Sequence, residues 1–299
     1  MTTRSLSYTT LQAGRPADLP TPERILGRAA GENFAVASRV LPSRARRHLL
    51  AFYGYARFTD ELGDSYTGDR LAALDWLEEE TRTALAGDHG SAHPLVGPAA
   101  RSVVELGLDS RPLFDLIEAN RQDQAVHSYL TFEDLVGYCR LSANPVGRLV
   151  LGAFGYQDER RCALSDAVCT GLQLVEHWQD VREDALAGRV YLPGEDLDRF
   201  GVDAAVLGQE PPAPQELKAL MAFEVYRARL WLDRGAPLVG ALHGRARVAV
   251  AGFVAGGRVA LDGIARRDFD VLSPPSRPRA TAIARQMLMT ARTRHGEAA

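Results

Sequence analysis

Three carboxylates fall at every fourth position of the stretch Gly171 to Pro193, GLQLVEHWQDVREDALAGRVYLP: Glu176, Asp180 and Asp184. At helical pitch they form one row, about 6 Å apart along the axis. Like charges at this spacing repel unless something cationic lies between them, and a merely solvated face alternates its signs. The row therefore asks for a metal. Hard carboxylate oxygens suit Mg²⁺, which takes a few protein ligands, keeps waters and accepts phosphate oxygens from a substrate. Gln173 lies on the same face one turn earlier, and Gly188 offers the left-handed residue that stops a helix.

A second row stands in AFYGYARFTDELGDS, where Asp60 and Asp64 are four apart, Glu61 adjoins them and Arg57 precedes Asp60 by one turn. Either row alone reads as a solvated face. Both rows, each inside an otherwise apolar helix, favour two acidic helices facing across a cavity, with a cluster of Mg²⁺ ions between them holding a diphosphate.

These two rows, together with Asn33-Phe34 upstream and SANPVG at Ser142 to Gly147 between them, resemble the squalene/phytoene synthase family of head-to-head prenyl synthases. The resemblance runs from about Glu32 to the glycines near Gly257, with the motifs in the family's order. ENFAVAS, DELGD, EANRQDQ and LVEHWQDV look most like its bacterial hydroxysqualene synthases of hopanoid pathways. The resemblance implies that Asp60, Asp64, Glu176, Asp180 and Asp184 hold the metal, and that Asn33 and Phe34 lie at the cavity mouth. It also implies that Tyr53 lines the cavity, that Tyr138 stands beside the reacting carbons, and that Arg189 and Tyr191 of GRVYLP form a substrate-gating segment. Gln173, Asn144 and Arg57 complete the candidate substrate contacts. One departure bears on metal number: phytoene-type relatives often have Asn where this chain has Glu176.

Read without the family, several of these residues have plainer roles: Asn33 a cap, Phe34 a core residue, Tyr53 and Tyr55 packing residues, Tyr138 a core aromatic. Trp178 reads as core on either basis.

The elements that must position these groups are helical. Apolar residues keep helical spacing throughout, with no strand-like alternation and no internal repeat, which predicts one all-α bundle enclosing an elongated apolar cavity with carboxylates at one end. The resemblance makes this an isoprenoid-synthase-type bundle. Residues 1–20 read as a loose arm, 21–272 as the helical domain and 273–299 as a basic tail with one short helix. Helices are expected from Thr21 toward Ala30, from Pro42 through Asp64, over 70–86, 98–108 and 112–129, and from Thr131, whose spacing to Asp134 fits a capping box, through Tyr138. Pro145 should kink a helix and Gly147 admit a close neighbour. A long helix from Ala163 should carry the second row to Gly188. Residues 201–214 read as a loop, and the last helices as 215–234 and 236–266, with Gly252, Gly256 and Gly257 at close packing. Arg121 and Gln124 fit either diphosphate contact or a solvated face.

Composition excludes some classes. The 299 residues are 46% hydrophobic and 24% charged with net charge −3, giving no electrostatic case for nucleic acid; Lys218 is the one lysine. Cys139, Cys162 and Cys169, an odd number without CxxC spacing, read as free thiols of a reducing, cytoplasmic setting. The sequence shows no targeting segment, and the apolar run Val248 to Gly256 is far shorter than a membrane span. A lipid-like substrate leaves peripheral membrane contact open. His89 and His93 lie in a Gly/Pro-rich stretch without a third zinc ligand.

The chemistry expected is Mg²⁺-assisted ionisation of an isoprenoid diphosphate. The closest resemblance implies that presqualene diphosphate ionises and water captures the cation to give hydroxysqualene, with no NADPH required; no dinucleotide loop is present. The runner-up is condensation of two prenyl diphosphates to presqualene diphosphate, squalene or phytoene. A non-catalytic relative acting as a binding or assembly protein should have lost acids from the rows, and a di-iron bundle should carry Glu-x-x-His pairs.

Overall fold

Helices account for nearly all regular structure because apolar residues recur at helical spacing and local signals close the ends. The computed structural model describes residues 14–27, 43–87, 92–274 and 285–287. The helices run α1 Pro22–Gly27, α2 Ser43–Asp64, α3 Arg70–Leu85, α4 Val96–Leu106, α5 Arg111–Gln122, α6 Phe132–Ser142, α7 Asn144–Ala153, α8 Glu159–Gln179, α9 Val181–Leu186, α10 Gly194–Phe200, α11 Gln215–Gly235, α12 Pro237–Ala241 and α13 Gly244–Arg266. Among the described residues there is no strand, only an isolated bridge between Ser128 and Val190. Asp69 caps α3 by accepting from the Ala72 amide at 3.0 Å, and Gly107 ends α4 in the left-handed conformation. The expected capping box is present, with Thr131 and Asp134 each bonding the other's backbone.

Two main cores flank the site. In one, α1 to α5 bury Leu49, Tyr55, Phe58, Leu62, Leu74, Leu77 and Ile117. In the other, α6, α8 to α11 and α13 surround Trp178, Leu174, Leu217, Met221, Leu232 and Leu261. Each such side chain contributes roughly 1.5–3 kcal/mol when fully buried. Trp178 is core as expected, and its indole N–H donates to the Glu224 carbonyl at 3.2 Å. The cleft lies where α2 and α5 of the first core meet α6, α8 and α9 of the second.

Several sequence expectations need correction. The stretch predicted over 112–129 stops at Gln122, and the segment after it runs beside 190–195 through Val190 N–H to His127 O (2.7 Å) and Gly194 N–H to Tyr129 O (2.9 Å). Pro145 does not kink a continuous helix. The chain breaks at Ala143, and Pro145 sits in the first turn of α7, where its missing N–H has no partner to lose. Gly147 does admit a close neighbour, namely α8: a Cβ there would lie 2.5 Å from both Cys169 Sγ and Ser165 Oγ. The long helix begins at Glu159 and breaks at Asp180. α10 lies beyond the expected helices, and 236–266 divides at Leu242-His243 into α12 and α13. Of the glycines in α13, Gly257 packs tightly against Leu172 and Leu232, whereas Gly256 has open space and Gly252 an ordinary contact.

The end of the N-terminal arm is docked rather than loose: Pro20 is buried and the Tyr66 hydroxyl donates to Ala17 O at 2.9 Å. In the tail, residues 285–287 are helical, and Met287 packs against a third cluster formed by α7, α8, α12 and α13. α13 is long and apolar enough to cross a membrane by length and composition, and more than half of its apolar window is buried inside the bundle. His93 is buried and stacked on Phe58 with centroids 4.5 Å apart, a core role; His89 lies outside the described residues.

Candidate active site

Both acidic rows open onto one cleft of about 270 Å³, lined by Arg57, Asp60 and Asp64 from α2, Asn120 and Asp123 from the end of α5, Tyr138 from α6, and Gln173, Glu176, His177, Asp180, Asp184, Arg189 and Tyr191. The lining is mainly polar. The expected elongated apolar chamber is not what these residues enclose; Leu116, Ala119 and the aromatic rings supply the apolar part.

The second row survives the break in its helix. Asp180 leaves helical geometry at φ −107°, ψ 15°. Its amide nevertheless donates to Glu176 O at 3.1 Å, and its carbonyl accepts from the Asp184 amide at 2.8 Å. The Arg189 amide then donates to Asp184 O at 2.8 Å, around Gly188 at φ 82°. The acids thus stay strung along one backbone hydrogen-bond chain, and the turn at Gly188 brings Arg189 back to the same opening.

On the other wall, Asp60 lies 3.6 Å from Arg57, and Asp64 accepts from Arg189 Nη2 at 3.1 Å. Glu61 turns away, buried and ion-paired with Arg24. Burial raises Asp60 to about 6, against the pull of Arg57 and with repulsion from Asp64 added. Its side chain is still 41% exposed, because it lies on a concave wall open to solvent. Asp184 rises to about 7 through burial and the charge of Asp180, and Asp180 is itself raised by burial and Glu183. These shifts mark carboxylates crowded where a cation would relieve them.

An aromatic wall faces the acids. His177 stacks on Tyr191 with centroids 3.8 Å apart, and Tyr129 and Tyr138 complete the group. Burial lowers His177 to about 3, so its imidazole is neutral, and Gln173 Nε2 lies 3.3 Å from its Nε2. The Tyr138 hydroxyl donates to Asp123 Oδ2 at 2.8 Å. Burial pulls Arg189 down, but Tyr191, Asp64 and Asp123 outweigh it and hold the guanidinium above its usual range.

Of the residues picked from sequence, Arg57, Asp60, Asp64, Tyr138, Gln173, Glu176, Asp180, Asp184, Arg189 and Tyr191 meet at the cleft. Asn144 does not: it is buried, accepts from Thr170 Oγ1 at 3.1 Å and ties α7 to α8. Tyr53 packs against the first core. Asn33 and Phe34 lie outside the described residues. Arg121 pairs with Asp75 and Glu78, and Gln124 bonds Gly63 O and Asn120 O, so neither reaches the opening. Sequence reasoning did not assign Asp123, Asn120 or His177 to the site. Asp123 and Asn120 sit in a polar run that looks like a solvated face, and only burial separates them from Arg121.

A profile of the squalene/phytoene synthase family matches residues 28–284. The hydroxysqualene synthase of Rhodopseudomonas palustris is 38% identical over 211 residues, 69% of this chain and 70% of that protein. The phytoene synthase of Arthrospira platensis is 30% identical over 260 residues, 81% of this chain and 82% of its own length. Among solved structures, squalene synthase HpnC from Alicyclobacillus acidocaldarius superposes with a TM-score of 0.77 at 40% identity, over 83% of this chain and 93% of that one. With its helical bundle and two facing acidic rows, the chain belongs to the squalene/phytoene synthase family.

Proposed function

We propose that this protein ionises presqualene diphosphate and lets water capture the cation, giving hydroxysqualene and diphosphate. The observation that carries the reading is the convergence of Asp60, Asp64, Glu176, Asp180 and Asp184 with Arg57 and Arg189 on one cleft. Similarity to hydroxysqualene synthases supports the choice of product.

The donor set fits Mg²⁺. Among the described residues no three His, Cys, Asp or Glu side chains close on one point, so the arrangement suits ions held by few carboxylates plus waters and diphosphate oxygens rather than a closed cage. When bound, Mg²⁺ would offset the negative charge that grows on the departing diphosphate. Arg57 and Arg189 contact and orient that diphosphate from opposite walls. The rings of Tyr138, Tyr191 and neutral His177 line the same cleft, where aromatic groups would stabilise the carbocation and shield it from bulk water. The cleft is smaller than the roughly 300–1,000 Å³ of drug-sized ligand sites, so it takes the diphosphate end and the prenyl chains lie beyond it.

A second reading, condensation of two prenyl diphosphates, draws on the alignment to a phytoene synthase over 81% of the chain and uses the same acids. Purified protein with Mg²⁺ and no NADPH, given presqualene diphosphate and separately farnesyl diphosphate, separates them by mass spectrometry. Hydroxysqualene from presqualene diphosphate alone supports the first reading, turnover of farnesyl diphosphate moves the protein to the condensing branch, and no product from either defeats both.

A further inference from the structure

Asp123 stands apart from the two acidic rows. It follows the last residue of α5, is 8% exposed and lines the cleft. Its Oδ2 accepts from the Tyr138 hydroxyl at 2.8 Å, while Oδ1 is shielded from solvent and has no hydrogen-bond partner among the described residues. A buried carboxylate oxygen without a donor is unfavourable unless something arrives to fill it. The Tyr138 bond fixes the carboxylate plane and leaves Oδ1 as the acceptor on offer beside the aromatic wall.

We propose that Asp123 is a catalytic residue of the water-capture step: Oδ1 holds the attacking water and accepts the proton that the water releases. This rests on the hydroxysqualene reading above. Ionisation breaks the carbon–oxygen bond to diphosphate, and the electron pair leaves with the diphosphate. A lone pair of the water oxygen then forms the new carbon–oxygen bond. One O–H bond of that water breaks, its electrons stay on the alcohol oxygen, and the proton passes to Asp123 before release with the products. No oxidant or reductant enters.

Burial lifts Asp123 to about 6 against the opposing pulls of Tyr138 and Arg189, which brings its basicity close to what proton transfer near neutrality needs.

The test uses full-length protein with Mg²⁺ and presqualene diphosphate in H₂¹⁸O, measuring hydroxysqualene formed per diphosphate released. Unsubstituted protein should give singly ¹⁸O-labelled hydroxysqualene. In D123N that ratio should fall at least about a hundredfold, the low end for loss of a general base, with hydrocarbon or rearranged products in its place. Y138F keeps the base and should lower the ratio less. D123A removes the base while leaving room for water, and it carries the test should D123N not fold. An unchanged ratio in the Asp123 variants, an equal fall in Y138F, or unlabelled hydroxysqualene overturns the assignment. If unsubstituted protein makes no hydroxysqualene at all, the water-capture reading itself fails, and this step with it, before any variant is compared.

Discussion

Arg189 Nη2 donates to Asp64 Oδ1 at 3.1 Å, joining residues 125 positions apart and linking the two acidic walls. The guanidinium is held by a carboxylate, and the diphosphate of the proposed reaction would be a stronger partner for it. The bond is therefore poised for exchange. Because Asp64 is half exposed, the pair adds no more than about 1 kcal/mol to stability. R189Q should leave the melting temperature nearly unchanged yet lower kcat/KM by roughly 10², in line with loss of a charge-stabilising donor. A large loss of stability with little loss of activity would assign Arg189 to the fold.

Asp60 at about 6 and Asp184 at about 7 lie above the ordinary carboxylate range. Their folded-state pKa values exceed the unfolded ones, so between pH 4 and 7 the folded protein binds more protons, and this contribution to stability is lost as pH rises through the folded values. A divalent cation binds the ionised forms and must displace those protons at low pH. The rise in melting temperature produced by saturating Mg²⁺ should be larger at pH 8 than at pH 5.5. D60N and D184N should each shrink it at pH 8. An equal Mg²⁺ effect at both pH values would place the ion elsewhere.

Glu224 is fully buried beside Asp196, and both carboxylates bind Arg227, whose guanidinium lies 3.7 Å over the Phe132 ring. Burial raises Glu224 to about 7, with Arg227 opposing and Asp196 adding to the rise. The sign is again a loss of stability as pH climbs from the unfolded value toward 7. E224Q removes that titration, so its melting temperature relative to unsubstituted protein should improve from pH 5.5 to pH 8. A difference that stays constant with pH would show Glu224 ionised throughout.

Two glycines should respond to alanine in a set order. At Gly147 an added Cβ meets side-chain atoms, Cys169 Sγ and Ser165 Oγ, which can rotate aside. At Gly235 it meets α8 itself, 2.7 Å from Val168 N and 2.9 Å from Leu164 O. G147A should cost about 1–3 kcal/mol, the usual range for overpacking, and G235A more. Urea denaturation with unchanged m-values would read both. G235A milder than G147A would mean that α11 slides easily over α8.

The rows were legible because a four-residue period survives any change of context. The all-α class followed from apolar spacing in the same way. Helix ends were less legible. The break at Asp180 carries no Pro or Gly signal, and Pro145 fits a helix start as well as a kink. Asp123 stayed hidden because its role depends on a bond to Tyr138, fifteen residues later, which forms only when α6 folds back on α5. Asn144 erred the other way: in a motif shared with the family it suggested substrate, but its amide is used to fasten α7 to α8.

The hydrogen-bond chain that carries Glu176, Asp180, Asp184 and Arg189 makes this stretch a strict counting device. One residue inserted between Glu176 and Asp180 would turn everything after it by about 100° and carry two acids and the arginine off the opening together. Residues 201–214, outside the α-helices apart from a short 3₁₀ turn at Ala204–Val206, bear no such count. Length variation among descendants of this chain should gather there and spare 176–189.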